Sequence, residues 1–252
     1  MSVTAIVSLK GGSGKTTTAI NLGAALALKG KRTLLVDLDP QASLSYVLSP
    51  EERGSASMAD VLLDSHALSE VILPTGRENL DLIPAAPRLW EFNQESAPAR
   101  KTARRFADAL RTQRRHYDQI LLDCPPALTP LARLALHSAE WSLTPTQPSP
   151  MGLDALERFL DQIEEERKQG FHEAKLLGVL IANANPYLRV TVESCLRLKK
   201  VFQKRLFHTI VRQSVRLVEA PGLRRTIFEH DPHGVGAENY SKLVREFLHR
   251  MD

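Results

Sequence analysis

The chain has 252 residues, 43% hydrophobic and 25% charged, with a formal net charge of +4 and a pI near 9.1. That composition excludes wholesale disorder, and the length suffices to bury a core without disulfides or metals. Two cysteines, Cys124 and Cys195, exclude a disulfide framework and fit a reducing cytosol, and no run reaches the roughly 18 apolar residues that a spanning helix needs.

Apolar strand-like runs alternate with helical patterns. Residues 3–9 are rich in β-branched side chains, and the chain enters on them directly, so no signal peptide is expected. Residues 16–29 are Ala- and Leu-rich and helical, with Gly30 as the C-terminal stop. Strand runs follow at 33–38 and 80–84, then an amphipathic basic helix at 100–115. Another strand at 119–123 is closed by Pro125 and Pro126, and the next occupies 141–144. A helix at 153–168, a strand at 176–182, a helix at 190–201, a short strand at 208–211 and a helix at 237–250 complete the pattern. This alternation predicts a single α/β domain over 1–252, with a mostly parallel twisted sheet and helices on both faces. Pro145, Pro148 and Pro150 mark a loop rather than a boundary, and residues 49–69, the least patterned, are expected outside the sheet.

Between the first strand and the first helix lies Lys10-Gly11-Gly12-Ser13-Gly14-Lys15-Thr16-Thr17. Glycines let backbone amides curl around phosphate oxygens with no Cβ in the way. The helix N-terminus adds unpaired donors and the positive end of the helix dipole. In that setting Lys15 reaches the β and γ phosphates, the Thr16 hydroxyl ligates Mg²⁺ and Thr17 donates near the α phosphate. The ordinary Walker A pattern has glycine where this chain has Leu9; here Lys10 adds a second lysine, which is the deviant form of the motif.

Carboxylates end two of the strands. One closes with Val36-Asp37-Leu38-Asp39-Pro40-Gln41, the other with Ile120-Leu121-Leu122-Asp123-Cys124-Pro125-Pro126. Acids at the C-terminal ends of strands point into the crevice where open α/β sheets bind ligands. An apolar run ending in Asp123 is the Walker B arrangement that holds Mg²⁺ through its water shell. Cys124 lacks any partner spacing for a nucleophile or a cluster and reads as a buried neighbour of the site.

These motifs resemble those of the ParA/Soj partition ATPases, deviant Walker A members of the ParA/MinD superfamily of P-loop ATPases. V-D-x-D-P-Q and D-C-P-P match almost letter for letter. Residues 211–221 resemble the I-P-R-N-V-R-L-S-E-A-P segment, and Asp231-Pro232 with Gly236-Ala237-Glu238-Asn239-Tyr240 resembles the family's ending. The resemblance runs nearly end to end and is weakest in the middle. It implies an ATPase with ATP and Mg²⁺ as cofactors, in which Asp39 orients the attacking water and Asn183 hydrogen-bonds adenine. Asp37, Asp39, Asp123 and Thr16 then surround the metal, with Asp37 supporting its shell. It also implies a homodimer formed on ATP binding, with Lys10 crossing to the partner's nucleotide. Two facing triphosphates repel unless cations intervene, and Lys10 supplies one.

Nine Lys and Arg residues against one acid, Glu219, occupy 197–225, a local field that attracts nucleic acid or anionic membrane. The resemblance implies non-specific binding of double-stranded DNA through Arg216, with Lys199 and Lys200 as further candidates. Tyr187 stands where the family carries another basic residue, so Arg189 becomes the candidate substitute. Other departures are Arg212-Gln213-Ser214 for Pro-Arg-Asn, and Ala132 and Leu134 for the usual Thr and Asn. No operator-binding domain is expected before the first strand. The functional expectation is a cytoplasmic, nucleoid-associated DNA-partition ATPase whose hydrolysis and release are triggered by a ParB-like partner. One alternative is a ParA-like ATPase that positions a protein cargo, such as a carboxysome or chemoreceptor cluster. Another is a MinD-like membrane-associated regulator, for which Leu243, Val244, Phe247, Leu248 and Met251 offer an apolar stripe. With no tether before that helix, docking on the core is expected and a membrane partner is not. An iron–sulfur ATPase needs paired cysteines that the chain lacks.

Overall fold

Alternate residues of each apolar run face opposite sides of one sheet. Ile120 and Leu122 enter a core on one side while Leu121 enters a second core on the other, and Leu34 and Val36 against Leu35 repeat the division. Both faces are buried, which is why these strands read as continuous apolar runs. The computed structural model describes residues 1–49, 56–64, 66–94, 100–149 and 152–251.

In chain order the elements are β1 (Ser2–Ile6), α1 (Lys15–Leu28), β2 (Thr33–Asp37), α2 (Ser43–Leu48), α3 (Met58–Leu63), β3 (Leu73–Arg77), β4 (Leu80–Ile83), α4 (Leu89–Asn93) and α5 (Arg100–Thr112). There follow β5 (Gln119–Asp123), α6 (Pro130–Ser138), β6 (Trp141–Thr146), α7 (Leu153–Lys168), β7 (Lys175–Ala184), α8 (Arg189–Phe202), β8 (Leu206–Arg212), α9 (Val215–Gly222), α10 (Ile227–His230) and α11 (Val235–His249). Among the described residues the strands form one eight-stranded sheet in the order β3-β4-β2-β5-β1-β6-β7-β8. Every pairing is parallel except β3 with β4. This is the expected α/β domain. The first core lies under α3 to α8 and the second under α1, α2 and α11. At Gly23 of α1 a Cβ would come within 2.8 Å of a Leu35 methyl, so glycine permits the close approach of α1 to β2.

The departures from the sequence reading have local causes. β3 was not expected, because Pro74 and Gly76 depress its strand pattern; it survives as an edge strand, paired on one side only, with a register shift between Pro74 and Arg77. α2, α3, α4, α6, α9 and α10 run 4 to 9 residues, shorter than the window of about 11–18 residues over which helical periodicity is legible. Residues 50–55 and 65 of the stretch 49–69 lie outside the described residues; the remainder contains α3 and joins no strand. Pro150, expected in a loop, also lies outside them. Pro145 belongs to β6 rather than to that loop. Leu143 O accepts from Val7 N, so the nitrogen of Pro145 faces the same side, beyond the last paired residue of β1. The next rung of the ladder would need an N–H at Pro145, so the proline ends the β1–β6 pairing where β1 passes into the loop.

The C-terminal helix is docked, as its missing tether implied. Leu243, Val244 and Phe247 are buried, and Leu248 and Met251 pack against the same core. Glu246 accepts the amides of His208 and Thr209 at 2.7 and 2.8 Å, and Asn239 Oδ1 accepts that of Arg212 at 2.9 Å. The Arg250 guanidinium sits 4.1 Å over the Phe207 ring and donates to Leu206 O. No helix among the described residues is long and apolar enough to cross a membrane. Phe247→Ala should therefore cost about 3–5 kcal/mol, as for other buried aromatic truncations. The measurement is the thermal midpoint, and an unchanged midpoint would mean the helix is not part of the core.

Candidate active site

Parallel pairing sets three strand ends abreast. Ile6 of β1 is in register with Asp123 of β5, and Asp123 is in register with Asp37 of β2. The loop leaving β1 therefore begins beside both carboxylates, at the C-terminal edge where such sheets bind ligands.

The loop turns through Gly12 and Gly14, whose φ values of +74° and +91° strain any residue with a Cβ. Gly14 caps α1, and the first helical bond runs from Thr18 N to Gly14 O at 2.8 Å. The amides of Lys15, Thr16 and Thr17 thus precede the helix's own acceptors and point from its N-terminus. Two serines shape the loop from beneath. The Ser8 and Ser13 hydroxyls lie 2.5 Å apart, and Ser8 Oγ also donates to Lys10 O. The Lys15 ammonium is buried and donates to Ser8 Oγ at 3.2 Å and Lys10 O at 3.4 Å. Burial lowers its pKa, opposed by the charges of Asp123, Cys124 and Asp39.

The three acids differ in their surroundings. Asp37 is fully buried; one oxygen accepts from the Ser45 amide and hydroxyl at 2.8 and 2.7 Å, the other from Asp39 N at 3.1 Å. Burial pushes its pKa up to about 6 against those bonds. With both oxygens engaged, Asp37 supports the chain that carries Asp39. Asp39 is half-buried, accepts from Gln41 N at 3.0 Å and borders the cavity. Asp123 is fully buried, and neither carboxylate oxygen has a hydrogen-bond partner. Burial first, then the Asp37 charge, hold its pKa well above the usual carboxylate range, while the Thr16 hydroxyl and Lys15 pull it down. An orphaned buried carboxylate beside a threonine hydroxyl and a phosphate loop fits a hydrated Mg²⁺. Cys124 is buried beside it, with its thiol pushed well up by burial and by Asp123, which suits a bystander and not a nucleophile.

A cavity of about 420 Å³ opens between Gly12, Lys15, Thr16, Asp39, Asn183 and Tyr240. Asn183 lies inside β7 and not at its end, with φ +54°, where the pairing to β8 shifts register between Ile181 and Ala184. Such an irregularity re-aims a side chain, here one that borders the cavity. Leu217 and Tyr240 give the cavity an apolar side suited to a flat base. Sequence reasoning missed Ser8, Ser45, Leu217 and Tyr240 as parts of this site. Ser45 stands eight residues after Asp37 with no motif around it, and Tyr240 reads as core.

The remaining candidates are dispersed. Lys10 is exposed on the loop. Arg189 opens α8 with its side chain 93% exposed and paired to Glu193, while Lys199 and Lys200 are exposed on the last turn of that helix. Arg216, on α9 next to Leu217 of the cavity, is paired to Glu219 at 2.8 Å. Exposed pairs of this kind are screened by solvent and salt and contribute little to stability.

A glycine loop that presents helix amides to an anion, a buried lysine under it and an unsatisfied acid on the adjoining strand define a P-loop ATPase. The AAA domain profile matches residues 1–176. The chromosome-partitioning ATPase Soj of Thermus thermophilus is 38% identical over 250 residues, covering 98% of this chain and 95% of that protein. Among solved structures, apo McdA from Cyanothece superposes with a TM-score of 0.86 at 26% identity, over 98% of this chain and 99% of that one. The septum site-determining protein MinD of Pyrococcus horikoshii, solved with Mg-ADP, gives 0.79 at 26% identity, over 97% and 95%. The chain belongs to the ParA/Soj family of ATPases within the ParA/MinD superfamily.

Relieving the unpaired buried charge should stabilise the empty protein while removing its metal support. Asp123→Asn is expected to raise the thermal midpoint without nucleotide by about 2–6 °C, the size of a 1–2 kcal/mol gain in a domain of this length. It should also abolish the further rise that Mg-ATP gives the wild type. A lowered midpoint in the empty variant would contradict this account of Asp123.

Proposed function

We propose that this protein is a DNA-partition ATPase whose ATP-bound homodimer holds double-stranded DNA without sequence preference and lets go after hydrolysis. The observation that carries the reading is the pairing of a deviant phosphate loop with the buried Asp123, which has no well-placed donor beyond the neighbouring Thr16 hydroxyl. In this reading the amides of residues 11–17 and Lys15 bind the triphosphate, and Asn183 orients the adenine beside Leu217 and Tyr240. Thr16 and Asp123 hold Mg²⁺, and Asp37 keeps the following loop in place. Held there, the metal would supply neutralisation of the charge that develops during phosphoryl transfer. Asp39, whose amide is held by Asp37, orients the water that attacks the γ phosphate. The exposed Lys10 reaches the partner's nucleotide, so two sites complete each other.

Arg216, Arg189, Lys199 and Lys200 supply the DNA-binding charge. Contacts to phosphate alone give affinity that falls steeply with salt. A ParB-like protein that stimulates hydrolysis is the natural partner in this family, and a location in the cytoplasm on the nucleoid follows. The burial of Leu243, Val244 and Phe247 argues against a membrane-bound regulator. A cargo adaptor in place of a ParB-like protein would use the same cycle.

DNA binding with ATP, with ADP and without nucleotide tests the reading, ATP-dependent binding being expected. Asp39→Ala should give an ATP-bound dimer that persists and still binds DNA; a monomeric variant in ATP would remove its assigned role. Arg216→Glu should lose at least about tenfold in DNA affinity, with a shallower salt dependence, while retaining basal hydrolysis. Unchanged affinity would move the DNA surface elsewhere.

A further inference from the structure

Along the outer edge of β8 runs a groove of about 590 Å³, bounded by α8 on one side and the start of α11 on the other. Val192, Cys195 and Leu196 of α8 line one wall, and Ile210 of β8 lies between the walls. α8 already packs on the sheet through Thr191, Ser194, Leu198 and Phe202. Yet Leu188, Val192 and Leu196, at positions i, i+4 and i+8, form a second apolar row, 50%, 45% and 63% exposed. A surface helix needs one apolar stripe to fold; a second one that stays in water marks a surface for something else. The charged side chains that line the groove, Lys199, Arg212 and Lys242, have one sign, while Glu238 and Glu246 of α11 stand behind them, near Arg212 and on the His208 and Thr209 amides. Of these, Lys242 is paired to Glu238 on its own helix.

We propose that this groove receives an amphipathic helix of a partner protein, with aliphatic side chains on one face and Asp and Glu on the flanks. The occupant's form follows from the backbone. The amides of His208 and Thr209 already donate to Glu246, and that of Arg212 donates to Asn239. A peptide added as a strand would have to displace those side chains, whereas a helix docks through side chains alone. Its chemistry follows from the lining. Duplex DNA would satisfy Lys199 and Arg212 but offers nothing to bury against Val192, Leu196 and Ile210. An acidic amphipathic helix satisfies both, with two or three aliphatic anchors in a space of this size. Since Lys199 also belongs to the proposed DNA-binding set, partner and DNA would compete for it. The groove itself does not depend on that reading.

The probe is a fluorescein-labelled synthetic helix with Leu at every third or fourth position and Glu elsewhere. Its controls are the same composition in scrambled order, a Lys-for-Glu counterpart and a labelled DNA duplex, all titrated against the full chain. Cys195 gives a local readout, because it lines the groove while Cys124 is fully buried. The acidic helix, and not its controls, should bind and slow alkylation of Cys195. Leu196→Glu should weaken binding by about tenfold or more, as expected for loss of a central anchor, and should remove the protection while ATP hydrolysis is unchanged. Absence of binding, or equal protection in Leu196→Glu, overturns the proposal. So does protection by the duplex alone, which assigns the groove to DNA. A fall in solution mass on Leu196→Glu assigns it to a second copy of the chain and overturns it as well. Failure of ATP-dependent DNA binding in the wild type would sink the partition reading and leave this one standing.

Discussion

A lysine ammonium and two carboxylates share a nearly dry space where β1, β5 and β2 end side by side. Burying charges costs several kcal/mol per ion unless each finds a good partner. Asp37 finds three donors, but Lys15 rests on a hydroxyl and a carbonyl, and Asp123 has no donor in good geometry, only the neighbouring Thr16 hydroxyl. This cluster is electrostatically incomplete within the protein. In the proposed site a triphosphate would supply the anion that Lys15 lacks, and a hydrated divalent cation would supply donors to Asp123. Ligands that correct such deficits bind the folded state alone and stabilise it by mass action.

The rest of the fold keeps that cluster from relaxing. β1 sits inside the sheet between β5 and β6, so its loop cannot drift away from Asp123. Ser45 both holds Asp37 and receives the amide of Ala85, which joins α2 to the chain following β4. On the helix side, Asn21 donates to Thr17 O and accepts from Ile227 N. One carboxamide thus connects the first turn after the phosphate loop to α10. Tyr240 lies near Thr18 from the other direction, with the two hydroxyls 3.5 Å apart. The C-terminal third is therefore built into the nucleotide site and not appended to it.

Most of the sheet and the phosphate chemistry could be read from the residues alone, because both depend on short-range patterns. Strands buried on both faces announce themselves as apolar runs, and Gly12 and Gly14 announce a loop that other residues could not form. What escaped detection depends on contacts distant in sequence. β3 is a strand only because β4 is there to pair with it. Pro145 is tolerated because it falls at the last rung of its pairing with β1, a strand far away in sequence. The distinction between Asp37, fully satisfied, and Asp123, unsatisfied, is invisible in two similar strand endings; it depends on Ser45 and on α2. The basic residues were visible, but their distribution over α8 and α9 required the fold.

Both margins of the sheet are closed to continuation. At β3, Pro74 removes a donor and the register shift near Gly76 bends the strand. At β8, carboxylate and amide side chains from α11 occupy the backbone where a neighbouring strand would pair. Exposed strand margins are where chains stack into ribbons and insoluble deposits. Copies of the chain can therefore meet at high concentration without their sheets fusing edge to edge.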